Sequence, residues 1–592
     1  MRSKVPIIVR FHRWRLRNLS ERKFVVILSV LIGIIAGMGA TIIKNAVRVT
    51  QRMISHLIDQ GVHNYIYVVL PFVGIFLTVL FVKYIVRKPV RHGIPNVLHS
   101  ISRRKGELSR HNLYSSIVTS ALTVGFGGSV GLEGPTVATG AAYGSWISKF
   151  FRLDYRHTIL LLSCASAAGM AAIFKAPIAA IVFALEVIML DLTTFSMVPL
   201  LMATSSAVVT SYFFLGQEVL YPFDVKQSFV ISELPFYVFL GIIAGLVSAY
   251  FTKVYIFIAG LFEKVKNVWR RLFTGGIILG VLIFILPSLY GEGYDGINAC
   301  LKGNMNYLFD NSMFFKFKED VVLLFILMIA VTLLKVVATS ITFGSGGVGG
   351  VFAPTLFTGA NTGMFFAMSV EKLGFTYLDK ENFALIGMSG LIAGVLQAPL
   401  TGVFLIADIS GGYELFVPLI ITAIFSYLTV KIFSPSSVYH FQLAQREELM
   451  THDQDKNVLR MMEVSKLLET DFITLHPDAS LRDLTDAISR SHRNLFPIVD
   501  ENGYMKGMLK MDDIRHLIFK QELYDKVRVG DLMYHPEYYI STKDSMKDVV
   551  EKFESSGRYN IAVIDDGKYV GFISRARVFS FYRKTMSMFS HD

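Results

Sequence analysis

The stretch GGSVGLEGPTVATGAAYG, Gly127–Gly144, holds one charged residue, Glu133, among glycines, small residues and a proline. Part of it returns later in the chain: PTVATGAAYG (Pro135–Gly144) recurs as PTLFTGANTG (Pro354–Gly363). A second segment follows in the same order, KAPIAAIVFALE (Lys175–Glu186) recurring as QAPLTGVFLIAD (Gln397–Asp408). Two ordered matches of this length define an internal repeat. Apolar segments broken by Gly and Pro at corresponding places in two halves point to a transporter's substrate site. The sequence leaves open whether the halves run parallel or inverted.

Around the repeat the chain reads as a membrane protein. It has 592 residues, 53% of them hydrophobic, and a mean hydropathy of +0.49, above what soluble domains reach. Uncharged runs at Phe24–Ile43, Thr193–Leu215, Leu234–Thr252 and Leu272–Tyr290 are predicted spans, since roughly 20 apolar residues cross the hydrocarbon core. Val336–Val370 and Phe383–Ala407 are longer but interrupted by Gly and Pro, which predicts broken or re-entrant helices. The first run is longer than a signal-peptide core and lacks a small-x-small cleavage site. Arg2, Lys4, Arg10, Arg13, Arg15, Arg17, Arg22 and Lys23 precede it and place the N-terminus in the cytoplasm. The net charge of +12 is thereby assigned to topology, and no nucleic-acid partner is expected. Cys164 and Cys300 have no ligand-like spacing, so neither a disulfide framework nor a metal site is expected.

The expected organisation is a basic cytosolic N-terminus (1–23), an all-α polytopic membrane domain (24–450), a linker (451–462) and a cytosolic α/β part (463–592). The last part also repeats. SLRDL (Ser480–Leu484) recurs as SMKDV (Ser545–Val549), each opening an amphipathic helix. NLFPIVD (Asn494–Asp500) recurs as NIAVIDD (Asn560–Asp566), each a buried strand. GMLK (Gly507–Lys510) and GFIS (Gly571–Ser574) supply the second strands. The unit resembles a tandem pair of CBS domains.

Glycines let backbone approach a ligand closely, and proline just inside a helix start costs no hydrogen bond. GLEGP and GGVFAP therefore read as loops running into helix N-termini, whose free N–H groups and partial positive charge attract anions. Two such ends, one from each half, would bind an anion without a fixed cation that holds it too tightly. The competing account is that small residues simply pack helices; the alignment of both runs by the repeat favours a site. A lone intramembrane carboxylate is costly. Glu133 gains a reason at an anion site: it can occupy the site in the anion's absence and leave when protonated or displaced. Its alternative is a structural N-cap.

These residues resemble the CLC family of chloride channels and chloride/proton antiporters. HGIP (His92–Pro95) is similar to the family's GSGIP, GLEGP (Gly131–Pro135) to GREGP, and GGVFAP (Gly349–Pro354) to GGIFAP. Tyr439 in SPSSVYHFQLAQRE is similar to the tyrosine that starts the last membrane helix. The resemblance implies anion binding at His92, Gly93, Ile94, Val351, Phe352 and Tyr439, and gating by Glu133. It implies close backbone approach at Gly131, Gly134, Gly349 and Gly350. It also implies an inverted repeat of tilted helices, a homodimer with one anion pathway per subunit, and both termini in the cytoplasm. Compactness and the absence of targeting features suggest a bacterial inner membrane.

Three departures qualify the resemblance. His92 stands where the family has a serine, and Arg91 where it has the leading glycine. The imidazole either donates to the anion or points away, which leaves the preferred anion open. FALEVIML puts Glu186 at the first of two glutamates common in the antiporters and Val187 at the second, the internal proton site. Valine carries no proton, so a passive gated channel is favoured, with chloride/proton exchange by a non-standard inner path as the alternative. Glu186 is read as a structural carboxylate paired inside the bundle. In the CBS pair, GMLKMDD keeps Asp513 but has Lys510 for the hydroxyl, and GFISRAR keeps Ser574 but has Arg577 for the acid. Adenine nucleotide there is weakly supported, and no cofactor is required. An enzyme using Glu133 would need a nucleophile, metal cluster or second acid nearby; a cation transporter would favour carboxylates or carbonyl rings. Neither pattern is present.

Overall fold

A computed structural model describes Arg15 and Leu459 and residues 17–59, 66–90, 93–104, 106–188, 194–216, 229–310, 312–444 and 462–586. The chain divides into two units, Met1–Leu449 and Met450–Asp592.

The first unit is helical throughout: α1 (Glu21–Asp59), α2 (Ile66–Leu80), α3 (Gly93–Arg103), α4 (Ser115–Gly125), α5 (Glu133–Phe150), α6 (Tyr155–Phe174), α7 (Pro177–Phe183) and α8 (Thr194–Leu215) form the first half. The second half comprises α9 (Leu234–Lys264), α10 (Val268–Ile285), α11 (Tyr294–Leu301), α12 (Val321–Gly344), α13 (Phe352–Lys372), α14 (Lys380–Val395), α15 (Pro399–Ile409) and α16 (Phe416–Phe433), followed by α17 (Val438–Ala444). Among the described residues, eight helical segments are long and apolar enough to cross a membrane. Starts are set locally: the side chains of Asp154, Asn267, Asp320 and Asp379 each accept from first-turn N–H groups, satisfying donors the helix leaves free.

The two interrupted runs break where glycine and proline cluster. α12 ends at Gly344 and α13 starts at Phe352; α14 ends at Val395 and α15 starts at Pro399. The predicted span Leu272–Tyr290 is shifted: its helix is Val268–Ile285, because Pro287 lacks an N–H and disfavours helical backbone before it. Val68–Val86, Tyr155–Phe174 and Phe416–Leu443 are spans the sequence reading passed over.

The halves are related by reciprocal contacts. Gly131 N–H donates to Gly350 O at 2.8 Å and Gly350 N–H to Gly131 O at 2.7 Å, and these two glycines occupy equivalent repeat positions. Lys175 and Gln397, also equivalent, both carry left-handed backbone, φ 57° and 56°. A contact made in both senses by equivalent residues is what a local twofold axis requires. Close helix packing repeats too. A Cβ on Gly144 (α5) would sit 2.6 Å from Leu161 O in α6, and one on Gly363 (α13) 1.9 Å from Phe383 O in α14.

The second unit contains α18 (Leu481–Arg490), β1 (Leu495–Val499), β2 (Met505–Lys510), β3 (Tyr539–Ile540), α19 (Met546–Ser556), β4 (Asn560–Asp565), β5 (Lys568–Ser574) and α20 (Arg575–Met586). Ser480 with Asp483 and Ser545 with Asp548 form matching capping boxes on α18 and α19. β1 pairs antiparallel with β2, and β4 with β5; β3 lies parallel to β4. The copies are joined by reciprocal bridges. Glu469, ahead of the first copy, bridges to Phe572 of β5, while Tyr534, ahead of the second, bridges to Met508 of β2.

Candidate anion pathway and gate

Three helix N-termini converge on the Gly131–Gly350 bridge. Glu133 opens α5 and Phe352 opens α13. Gly93 opens α3; a Cβ there would lie 2.5 Å from the carbonyl of Gly134, so only glycine permits this approach. Gly134 in turn faces Gly350, its Cβ position 3.1 Å from the Gly350 Cα. A Cβ on Gly349 would fall 2.3 Å from the Val130 side chain. Ile94, Val351 and Phe352 are buried, and the Phe352 ring packs on Phe174 and Phe183 at 5.4 and 6.5 Å. First-turn N–H groups of α5 and α13 have no intrahelical partners. They concentrate positive potential where the two ends meet.

The Glu133 carboxylate sits in that potential. It is buried, with the N–H groups of Ala353 and of Glu133 itself directed toward it. Oε2 lies where a Gly131 Cβ would come within 2.1 Å, and has no hydrogen-bond partner among the described residues. Oε1 accepts a hydrogen bond from Tyr294 Oη. Tyr439 on α17 is buried within electrostatic reach of Glu133 and Tyr255, and α17 packs on α3. Glu133, Gly93, Val351, Phe352 and Tyr439 are therefore brought together. His92 lies outside the described residues.

Leu132 and Tyr294, which adjoin Glu133, line a cavity of about 850 Å³ together with Lys44, Arg48, Lys175 and Glu292, among others. Sequence reasoning missed Tyr294, Glu292 and Lys335. The signal was available: YGEGYDG (Tyr290–Gly296) is a second glycine-rich turn around a carboxylate, outside the repeat that guided attention.

Val187 is partly buried against the core, in the π-helical turn Ala184–Ile188 that continues α7. Beside it, Glu186 accepts from Leu400 N–H at 3.2 Å, Thr401 N–H at 2.8 Å and Thr401 Oγ1 at 2.7 Å. It thus caps α15. The repeat-equivalent Asp408 accepts from Ala179 N–H of α7 at 3.1 Å, so each half's carboxylate caps the other half's helix.

In the second unit, Ser574 Oγ donates to the buried Glu469 at 2.5 Å, and Glu469 pairs with Arg493 at 2.8 Å. Asp513 is exposed and within electrostatic reach of Tyr534. Lys510 lies over the Tyr534 ring at 5.3 Å, as does Arg558.

Fold and site define an internally duplicated, multi-pass membrane protein for anion transport. A family model described as voltage gated chloride channel matches residues 73–431, and CBS domain models match 464–520 and 529–584. The chain belongs to this family, the CLC transporters and channels, in a form carrying a CBS pair. It is 29% identical over 437 residues to the H(+)/Cl(-) exchange transporter ClcA of Vibrio cholerae, covering 70% of this chain and 88% of that protein. It is 29% identical over 395 residues to a putative chloride channel protein, ClcB-like, of Ralstonia nicotianae, covering 64% and 85%. The crystal structure of a CLC-type fluoride/proton antiporter aligns with TM-score 0.57 at 25% identity, over 71% of this chain and 97% of that one. A eukaryotic CLC transporter aligns over 97% of this chain and 99% of that one, with TM-score 0.61 at 18% identity, which speaks to fold alone.

Proposed function

We propose that this protein exchanges chloride for protons. The observation that carries the reading is the Glu133 carboxylate seated between the N-termini of α5 and α13. There it occupies an anion-binding turn, and a proton is what allows it to leave. The relatives named as exchangers support exchange over the passive conduction that Val187 suggests. Val351, Phe352 and Tyr439 serve the central anion, Gly93 and Ile94 the far side, and Glu133 the gate. The test is the reversal potential of the purified chain in vesicles under a chloride gradient, with and without an opposing proton gradient. A shift with the proton gradient supports exchange. A potential set by chloride alone returns the reading to a channel.

The same reading extends to a homodimer with one pathway per subunit, with both termini in the cytoplasm of a bacterial inner membrane. It takes the CBS pair as a scaffold with no nucleotide at Ser574, because that hydroxyl donates to Glu469. Bound ATP at a hundred times its Kd would stabilise the unit by about 2.7 kcal/mol; an ATP-dependent rise in melting temperature, lost in Ser574→Ala, would overturn this assignment.

A further inference from the structure

The turn Tyr290–Tyr294 is held from three sides, two of them the loop before α5 and Glu133 itself. Gly291 N–H donates to Gly127 O at 3.0 Å. Lys335 of α12 donates through Nζ to Leu289 O at 3.3 Å and Gly291 O at 2.9 Å. Tyr294 donates to Glu133. Gly127 carries φ +90°, and a Cβ there would fall 1.9 Å from the Tyr290 ring, so the turn and the loop before α5 are held as one piece.

Glu292 lies in the middle of this turn, outside the spanning helices, and lines the cavity together with Tyr294. Its Oε1 is shut from solvent and has no hydrogen-bond partner among the described residues, as is true of Glu133 Oε2. Glu133 of α5, Lys44 of α1, Lys335 of α12 and Asp295 of α11 lie within electrostatic reach of it, and Arg48, Arg52, Lys175 and Asp310 line the same cavity. Two neighbouring carboxylates with unsatisfied buried oxygens are costly while both are charged. One proton between them relieves that cost. Burial, with the Glu133 charge nearby, pushes the Glu292 carboxyl up to about 8, where it both gains and loses protons near neutrality.

We propose that Glu292 is the proton-exchange station on the cavity side of the gate, passing protons between cavity water and Glu133. The inference rests on the exchange reading above. In one direction Glu292 takes a proton from hydronium and gives it to the Glu133 carboxylate. Glu292 returns to carboxylate, and Glu133, now a neutral acid, leaves the anion path. The reverse transfer releases the proton to the cavity.

The experiment is chloride flux through the full chain in vesicles, at symmetric pH from about 5 to about 9, for wild type, Glu292→Gln and Glu292→Asp. Glu292→Gln is expected to slow flux at neutral pH by roughly a hundredfold, the low end for a positioned proton-transfer group. It should recover toward wild type in acid, where hydronium protonates Glu133 directly. Glu292→Asp should keep the pH dependence with its midpoint displaced. A Glu292→Gln profile that superimposes on wild type overturns the proposal. So does an equal slowing at every pH, which would make Glu292 only an ion-pair partner of Lys44. Should Glu292→Gln fail to fold, an undisplaced Glu292→Asp profile overturns it instead. A wild-type reversal potential that ignores the proton gradient sinks the exchange reading separately; the Glu292→Gln profile then still decides whether Glu292 protonates the gate.

Discussion

Tyr294→Phe removes one hydroxyl and leaves the ring, so it isolates the hydrogen bond that holds Glu133 in its seat. A hydrogen bond to a charged group contributes about 1.5–3 kcal/mol net. At about 1.4 kcal/mol per factor of ten, its loss should raise the fraction of chains with Glu133 out of the path by roughly 10- to 100-fold. The substitution leaves both Glu133 oxygens without a side-chain donor among the described residues, which adds to the drive outward. The assay is chloride efflux from vesicles at neutral pH, paired with the reversal potential under a proton gradient. Efflux should rise, and the potential should drift toward the chloride equilibrium value, because a gate that opens without its proton lets chloride slip. Efflux and potential both at wild-type values would refute the reasoning, since the bond would then contribute nothing to the sealed state.

Other substitutions test other links. Glu133→Gln should flatten the pH dependence of flux, because the amide neither takes a proton nor competes as an anion; a retained pH dependence counts against Glu133 as the gate. In the CBS unit, the hydroxyls of Thr542 and Ser541 hold the Asp565 carboxyl below the usual aspartate range. That stabilisation is fully present above the ordinary aspartate pKa of about 3.9 and is lost as pH falls through the lower folded value. Asp565→Asn should therefore lower the melting temperature at neutral pH and soften its acid decline. An unchanged acid decline would show that Asp565 is not responsible for it.

The sequence carried the glycine-rich helix starts and the repeat because both are local. GLEGP and GGVFAP announce themselves by glycine and proline around a helix start, and aligning the halves doubles the signal. The matching capping boxes at Ser480 and Ser545 were legible for the same reason. What was not legible is nonlocal. Nothing in FALEVIML says which three donors Glu186 meets, since Leu400 and Thr401 belong to the other half. The cross-copy bridging in the CBS unit is hidden likewise: Glu469 reads as part of the copy it precedes, yet it bridges to Phe572 on β5 of the other. Tyr294 was overlooked because the turn holding it has no counterpart in the repeat. Lys335 sat inside an apolar helix, and its carbonyl partners lie on a turn more than forty residues earlier in the chain.

The reciprocal caps bear directly on the exchange reading proposed above. Val187 cannot carry a proton, and Glu186 is the nearest carboxylate to that place in the chain. Yet both Glu186 oxygens are engaged, by two backbone N–H groups and the Thr401 hydroxyl at the start of α15. A proton on Glu186 would compete with these donors and weaken the cap of a helix that begins at Pro399. The mirrored contact from Asp408 is slimmer, with Oδ2 accepting from Ala179 N–H of α7 at 3.1 Å and Oδ1 from the Tyr413 hydroxyl at 2.8 Å, yet it too ties one half's carboxylate to the other half's helix with no proton task assigned to it. Under the exchange reading, protons on this side travel by water rather than through Glu186. Glu186→Gln should keep one acceptor oxygen, cost about 1–2 kcal/mol of stability, and leave the proton-dependent reversal potential unchanged. A Glu186→Gln chain that still conducts chloride but no longer responds to the proton gradient would make Glu186 the inner proton station, with the cap as the price of its burial.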